Sequence, residues 1–89
     1  MDRSQFEKLA LEQLDAVYRM ALQLARNSEL AQELVQEVYV RALRPGAEDR
    51  IEFAARSPED TIRSWLFTIT HHTFLTMLRR DKRRSRAHA

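Results

Sequence analysis

The sequence contains no cysteine, one glycine and only two prolines among its 89 residues. The absence of cysteine excludes disulfide bonds, thiol catalysis and cysteine-ligated zinc, and it is compatible with a reducing compartment. A single glycine leaves little of the turn chemistry that β-hairpins need, which argues against an all-β fold. A chain of 89 residues fits one domain with one core. With 44% hydrophobic and 31% charged residues, it has the composition of a soluble globular protein.

Long hydrophobic runs are also missing. No apolar stretch approaches the roughly 20 residues that a helix needs to cross a bilayer. The chain opens Met-Asp-Arg-Ser, without the apolar stretch of a signal peptide. We therefore expect a cytoplasmic protein that has no membrane partner.

The charges are divided unevenly along the chain. Residues 1–60 carry 8 Lys or Arg against 12 Asp or Glu, whereas residues 61–89 carry 7 Lys or Arg against a single Asp. An acidic front and a basic back predict two surfaces with different partners.

Apolar residues at helical spacing predict an all-α fold, a compact domain of three helices over residues 1–89. The first helix covers about 4–26, with an apolar stripe formed by Phe6, Ala10, Leu14, Val17, Ala21 and Leu24. The second covers about 29–43, and Asn27 or Ser28 can cap it. Pro45 and Gly46 end it.

A long linker and a long third helix complete the prediction. Residues 44–57 form the linker, which Ile51 and Phe53 can attach to the core. Linkers of this length are usually functional or mobile. Ser57 and Pro58 start the third helix, which runs to about residue 84, and residues 79–89 form a basic tail.

Catalytic and metal-binding patterns are weak. The chain has no glycine-rich phosphate loop and no nucleophile motif, so we predict no enzyme, no catalytic residue and no cofactor. His71 and His72 are adjacent, and adjacent positions on a helix point about 100° apart. They do not converge as metal ligands at i and i+4 do, so we predict no metal site.

The third helix predicts a nucleic-acid surface. Helical spacing places Trp65, Thr68, His72 and Thr76 along one edge, next to Arg79. Aromatic rings stack on bases, hydroxyl and imidazole groups bind them by hydrogen bonds, and arginine holds phosphate. Six of the eight residues from Arg79 to Arg86 are basic, a composition typical of phosphate-binding segments. The alternative is a core tryptophan beside a solvated face and a solubilising tail.

One side of the second helix is the other candidate surface. It presents Glu33, Gln36, Glu37 and Arg41, with Val40 among them. The pattern alone favours an ordinary solvated face with pairing of Glu37 and Arg41. The functional alternative is a docking face for a partner helix of basic or mixed charge.

Two segments resemble the second conserved region of bacterial sigma factors of the extracytoplasmic-function (ECF) group. Residues 31–44 (AQELVQEVYVRALR) are similar to the helix of that family that binds core polymerase. Residues 64–80 (SWLFTITHHTFLTMLRR) are similar to its promoter-melting helix, which reads the minus-ten element. The resemblance covers nearly the whole chain, and its two motifs are specific in combination.

The resemblance implies a transcription-initiation module with two partners and assigns both surfaces. The face with Glu33, Gln36, Glu37 and Arg41 would dock on the clamp helices of the largest catalytic-core subunit of RNA polymerase. The third helix and the preceding loop, with Ile51 and Phe53, would hold single-stranded minus-ten DNA and capture a flipped base. The family also implies an anti-sigma factor as a partner. The residues expected to contact DNA are Trp65, Thr68, His71, His72, Thr76, Arg79, Arg80, Lys82, Arg83 and Arg84.

The sequence departs from the family pattern in three ways. No second helix-turn-helix domain follows, which implies an excised domain or a short form. The linker is longer than typical. His72 stands where many relatives carry asparagine, so we expect a different base preference at the flipped position.

Two rival functions remain open from the sequence. One is a sigma-like mimic that binds an anti-sigma factor without binding DNA. The other is an unrelated small helical protein that binds nucleic acid.

Overall fold

The computed structural model describes the backbone of residues 1–52 and 57–88, and the side chains of residues 1–52 and 57–81. Within these ranges the chain forms four α-helices and a short 3₁₀ turn, with no strand. The helices are α1 (Arg3–Glu12), α2 (Leu14–Ala25), α3 (Ser28–Ala42) and α4 (Pro58–His88), and the 3₁₀ turn is Ala47–Arg50. The all-α prediction is confirmed.

The segment predicted as one helix over 4–26 is divided at Gln13. The Gln13 N–H bonds to the carbonyl of Ala10, three residues back, and the helical bonding pattern is interrupted there. The Gln13 side chain is buried, and its amide oxygen accepts a hydrogen bond from Arg63 of α4 at 2.7 Å. At the break, Gln13 takes the buried position between Ala10 and Val17. Leu14, which we expected in the core, is 42% exposed.

Short polar side chains cap α1, α3 and α4, whereas Gln13 at the start of α2 makes no side-chain cap hydrogen bond. The carboxylate of Asp2 accepts from the N–H of Gln5, and the side-chain oxygen of Asn27 accepts from the N–H of Leu30. The hydroxyl of Ser57 accepts from the N–H of Asp60 at the start of α4. Each cap satisfies a backbone donor that the first turn of a helix leaves free.

The core lies where α4 packs against α3, α2 and α1. Its buried hydrophobic residues include Phe6, Ala10, Val17, Ala21, Ala31, Leu34, Val38, Ala42, Ile51, Ile62 and Leu66. Two threonines of α4, Thr70 and Thr73, are buried as well. The hydroxyl of Thr70 donates to the carbonyl of Leu66, and that of Thr73 accepts from Arg41, so both are satisfied inside the protein.

Within the described residues, no helix combines the length and the hydropathy that a membrane span requires.

Candidate nucleic-acid cleft and docking groove

A cleft of about 480 Å³ opens between the end of α3, the turn that follows it and the middle of α4. We call it the cleft. It has a size typical of ligand sites. Its lining residues are Arg41, Arg44, Pro45, Gly46, Ala47, Arg50, Trp65, Ile69, His72 and Thr73.

Trp65 contributes both to the core and to the wall of the cleft. Its ring meets the buried ring of Phe6 edge to face, with centroids 5.8 Å apart and planes 62° apart. It is only half-buried and lines the cleft. The ring is therefore held in place by Phe6 while part of its surface faces the cleft.

His72 supplies the exposed hydrogen-bonding edge of the cleft. Its neighbour His71 does not line the cleft, and the two ring centroids are 6.5 Å apart with planes tilted by 58°. Among the described residues, no group of three or more His, Cys, Asp or Glu residues comes together as a metal would require.

The two predicted threonines lie on the same helix but outside the lining of the cleft. The hydroxyl of Thr68 donates to the carbonyl of Ser64 at 3.1 Å, and that of Thr76 donates to the carbonyl of His72 at 3.0 Å. Each hydroxyl uses its proton within α4, so toward a ligand it offers only acceptor capacity.

Three arginines line the cleft. The sequence prediction included Arg44 and Arg50 only as unnamed members of the linker 44–57, and it assigned Arg41 to the docking face. Arg44 precedes Pro45 and Gly46, Arg50 is the last residue of the 3₁₀ turn, and Arg41 belongs to α3. Gly46 reverses the chain with a φ of +83°, a conformation that glycine adopts without strain. Basic residues on both sides of a Pro-Gly turn are the signal that identifies this wall in the sequence.

Arg3 holds the turn from the other end of the chain. Its guanidinium donates to the carbonyls of Leu43 and Arg44 and to the carboxylate of Glu48. It also lies over the ring of Phe6, 5.3 Å from the centroid. Arg3 therefore binds the carboxyl end of α3, where a helix carries partial negative charge, and connects it to the aromatic pair behind the cleft.

Glu48 is the acidic partner in this contact. The Glu48 backbone N–H, and then the Arg3 guanidinium, lower the pKa of the Glu48 carboxyl below its usual value. Hydrogen bonds and a nearby positive charge favour the ionised form, so Glu48 and Arg3 stay paired at neutral pH.

A second concave surface lies between α3 and the part of α4 beyond the cleft. We call it the groove, and its volume is about 670 Å³. All four predicted docking residues line it, together with Val40, which is 66% exposed. Its lining residues are Leu30, Glu33, Gln36, Glu37, Val40, Arg41, Arg44, Met77, Arg80 and Asp81.

Glu37 connects the two helices that form the groove. One carboxylate oxygen lies 3.3 Å from Arg80 of α4, and the other lies 3.7 Å from Arg41 of α3. Arg41 also donates to the hydroxyl of Thr73 at 3.3 Å. Because Arg41 and Arg44 line both concave surfaces, the cleft and the groove share one wall.

The remaining predicted residues lie elsewhere. Arg79 is exposed on α4, and Ile51 is buried in the core at 9% exposure. Ile51 therefore anchors the segment after α3 to the core and is not exposed to a ligand. Phe53 lies outside the described residues, as do the side chains of Lys82, Arg83 and Arg84.

Comparison with known proteins gives a consistent family match. The family described as Sigma-70 region 2 matches residues 9–84. The chain is 32% identical over 79 residues to the RNA polymerase sigma factor YlaC of Bacillus subtilis, covering 89% of this chain and 42% of that protein. It is 32% identical over 78 residues to the ECF RNA polymerase sigma factor SigE of Mycolicibacterium smegmatis, covering 88% of this chain and 27% of that protein.

The chain thus spans less than half the length of these two relatives. No solved structure matches it significantly.

Proposed function

The chain belongs to the sigma-70 family, within region 2, and from this premise we propose that it is a transcription-initiation module that binds core RNA polymerase and promoter DNA. The family consists of non-enzymatic initiation factors. Our proposal therefore needs no nucleotide hydrolysis by this chain. A cytoplasmic location follows from the same function.

The cleft is the proposed site for an unstacked base of the minus-ten element. Trp65 offers part of a ring for stacking, and His72 offers a hydrogen-bonding edge beside it. Arg44 and Arg50 line the same cleft from the segment between α3 and α4, where they can bind phosphates next to the base. Unstacking a base costs a few kcal/mol, and stacking together with edge hydrogen bonds offsets that cost.

The exposed arginines Arg79 and Arg80 continue this basic surface along α4. They would bind the backbone of the displaced strand by releasing its counterions. The proposed melting mechanism is therefore capture: bases that open transiently are bound in the unpaired state and do not close again.

The groove is the proposed docking site for core RNA polymerase, on the clamp helices of its largest catalytic-core subunit. Its exposed Val40 is bordered by Glu33, Gln36 and Glu37. An apolar centre within a polar border suits a partner helix of mixed charge. An anti-sigma factor that competes for this face would be an additional partner.

The convergence of Trp65, His72 and three arginines on one cleft is the observation that carries the DNA part of the proposal. Trp65 is the only tryptophan of the chain, so its fluorescence reports on the cleft. We expect a single-stranded minus-ten oligonucleotide to quench this fluorescence saturably. A double-stranded oligonucleotide of the same sequence should quench less.

Paired substitutions separate the two partners. Glu37→Lys should weaken binding to core polymerase at least tenfold without weakening DNA binding. Arg79→Ala, at an exposed residue outside the groove, should weaken DNA binding and leave polymerase binding intact. Binding of an anti-sigma factor without DNA binding would support the mimic. Nucleic-acid binding without affinity for core polymerase, in the unmodified chain and in Glu37→Lys alike, would support an unrelated nucleic-acid-binding protein.

A further inference from the structure

Glu37 stands between two arginines that the proposed function needs for DNA. Its carboxylate is 37% exposed, and its partners Arg41 and Arg80 are 30% and 52% exposed. The three groups thus form a solvent-accessible cluster on the shared border of the groove and the basic face of α4. A carboxylate and a phosphate present the same kind of oxygen acceptors to a guanidinium.

A phosphate that approaches Arg80 therefore meets an arginine that already has an anionic partner. If the Glu37 carboxylate stays in place, it repels the incoming phosphate. Full binding of the phosphate therefore requires the carboxylate to move away. Arg41 is under the same constraint, and it also lines the cleft.

We propose that Glu37 is an intramolecular competitor of nucleic-acid phosphate, which holds Arg80 and Arg41 until a docking partner engages its carboxylate. The inference rests on the proposed function, because it assigns a regulatory role to the border between the two proposed surfaces. A cationic group of a partner that binds Glu37 frees both arginines. Docking in the groove and binding of the DNA strand are then favourably coupled, and the coupling is reciprocal.

The substitution Glu37→Gln tests this without any docking partner, because it keeps the shape of the side chain and mimics a carboxylate engaged elsewhere. Exposed ion pairs contribute little, so the expected gain is modest: about two- to fivefold tighter binding of a labelled single-stranded oligo-dT. The homopolymer isolates phosphate contacts from base recognition. Fluorescence anisotropy measures the affinity at several salt concentrations.

The salt dependence provides a second readout. Each arginine that is freed to neutralise a phosphate should steepen the slope of log K against log salt by about 0.7 for a single strand. Glu37→Gln should therefore steepen the slope as well as raise the affinity. A general loss of repulsion is also screened by salt and would steepen the slope to some extent. The change for Glu37→Gln is therefore compared with that for Glu33→Gln, which should be smaller.

Glu33→Gln is the matched control, since Glu33 lines the same groove one helical turn away. Among the ion pairs of the described residues, Glu33 takes part in none. The substitution Glu33→Gln removes one negative charge from α3, as Glu37→Gln does, and so measures the general electrostatic effect on DNA binding. Arg80→Gln in the Glu37→Gln background should remove most of the gain.

The results separate this inference from the function on which it rests. Equal gains from Glu37→Gln and Glu33→Gln, or a gain that persists in full without Arg80, would overturn the competitor role and leave the proposed function standing. Failure of the unmodified chain to bind any single-stranded DNA, even at low salt, would instead overturn the proposed function.

Discussion

The cleft and the groove share Arg41 and Arg44, yet they differ in what surrounds these arginines. In the cleft the cations face an aromatic ring and an imidazole. In the groove they face the carboxylates of Glu33 and Glu37 around exposed Val40. The same basic wall therefore has two different surroundings, which suit the two proposed partners: a polyanion on one side and a protein of mixed charge on the other.

The largest effect is expected from a substitution that destabilises the whole domain and so disrupts both surfaces. Leu66 is fully buried where α4 meets the other helices, so Leu66→Ala should destabilise the domain by about 2–5 kcal/mol. A small domain has little more stability than that. Urea denaturation should show the loss, and DNA and polymerase binding should fail together. Leu75→Ala, at a site that is 37% exposed on the same helix, is the control and should cost far less.

The next effect should separate the two surfaces. Arg3→Met removes the contacts with Leu43, Arg44 and Glu48 that hold the turn beside the cleft. We expect weaker quenching of Trp65 by single-stranded DNA and little change in polymerase binding. Arg19→Met, an exposed arginine on α2, is the matched control. Equal loss on both surfaces would show that Arg3 supports the whole fold and not the turn.

The same contact has a predicted pH dependence. Because the folded state lowers the pKa of Glu48, its contribution to stability is present above the unfolded value of about 4.5 and is lost as the pH falls through the folded pKa. Unfolding measured between neutral pH and pH 3 should show this acid loss in the unmodified chain. In Arg3→Met the acid loss should be smaller.

A smaller loss of stability, which should affect the cleft and the groove equally, is expected from a substitution at Tyr39. Its hydroxyl donates to the carbonyl of Ala10 at 2.8 Å, and burial raises its pKa to about 12. Tyr39→Phe should cost about 0.5–1.5 kcal/mol without favouring either surface. Tyr18→Phe provides the control.

Because burial raises the pKa of Tyr39, we also expect the domain to lose stability at alkaline pH. The unfolded phenol ionises near pH 10, so stability should be full below that value and decline as the pH rises toward 12. Tyr39→Phe should reduce this decline. An identical alkaline decline in the two proteins would contradict the assignment.

The smallest effect should concern only the base at the cleft. His72→Asn exchanges an imidazole for an amide that offers a donor and an acceptor at a different edge. We expect total affinity to change little and base preference to shift at one position of a randomised minus-ten library. His71→Asn, next to it but outside the cleft, should leave the preference unchanged. An unaltered preference in both variants would exclude His72 from base recognition.

The local features of the fold were accessible from the sequence. Asn27, Ser57 and Pro58 mark helix starts because their effect depends only on their own backbone neighbours. The break at Gln13 was not accessible, because it coincides with a contact to Arg63, fifty residues away. Helical periodicity alone gives no reason to interrupt an apolar stripe.

The site was predictable to a similar degree. Periodicity placed Trp65 and His72 on one edge of α4, and both line the cleft. It did not indicate that Thr68 and Thr76 lie outside the lining. That outcome depends on which side of α4 the segment after α3 lies, and the periodicity of one helix carries no information about it.

The sequence by itself determined the helical class, the helix caps, the separation of charge along the chain and the resemblance to the sigma-70 family. Only the tertiary structure decided that Arg3 supports the turn and that Glu37 joins Arg80. These partners are separated by more than forty residues. A periodic pattern fixes the direction of a side chain about its own helix axis, whereas a contact between helices also depends on how those axes pack.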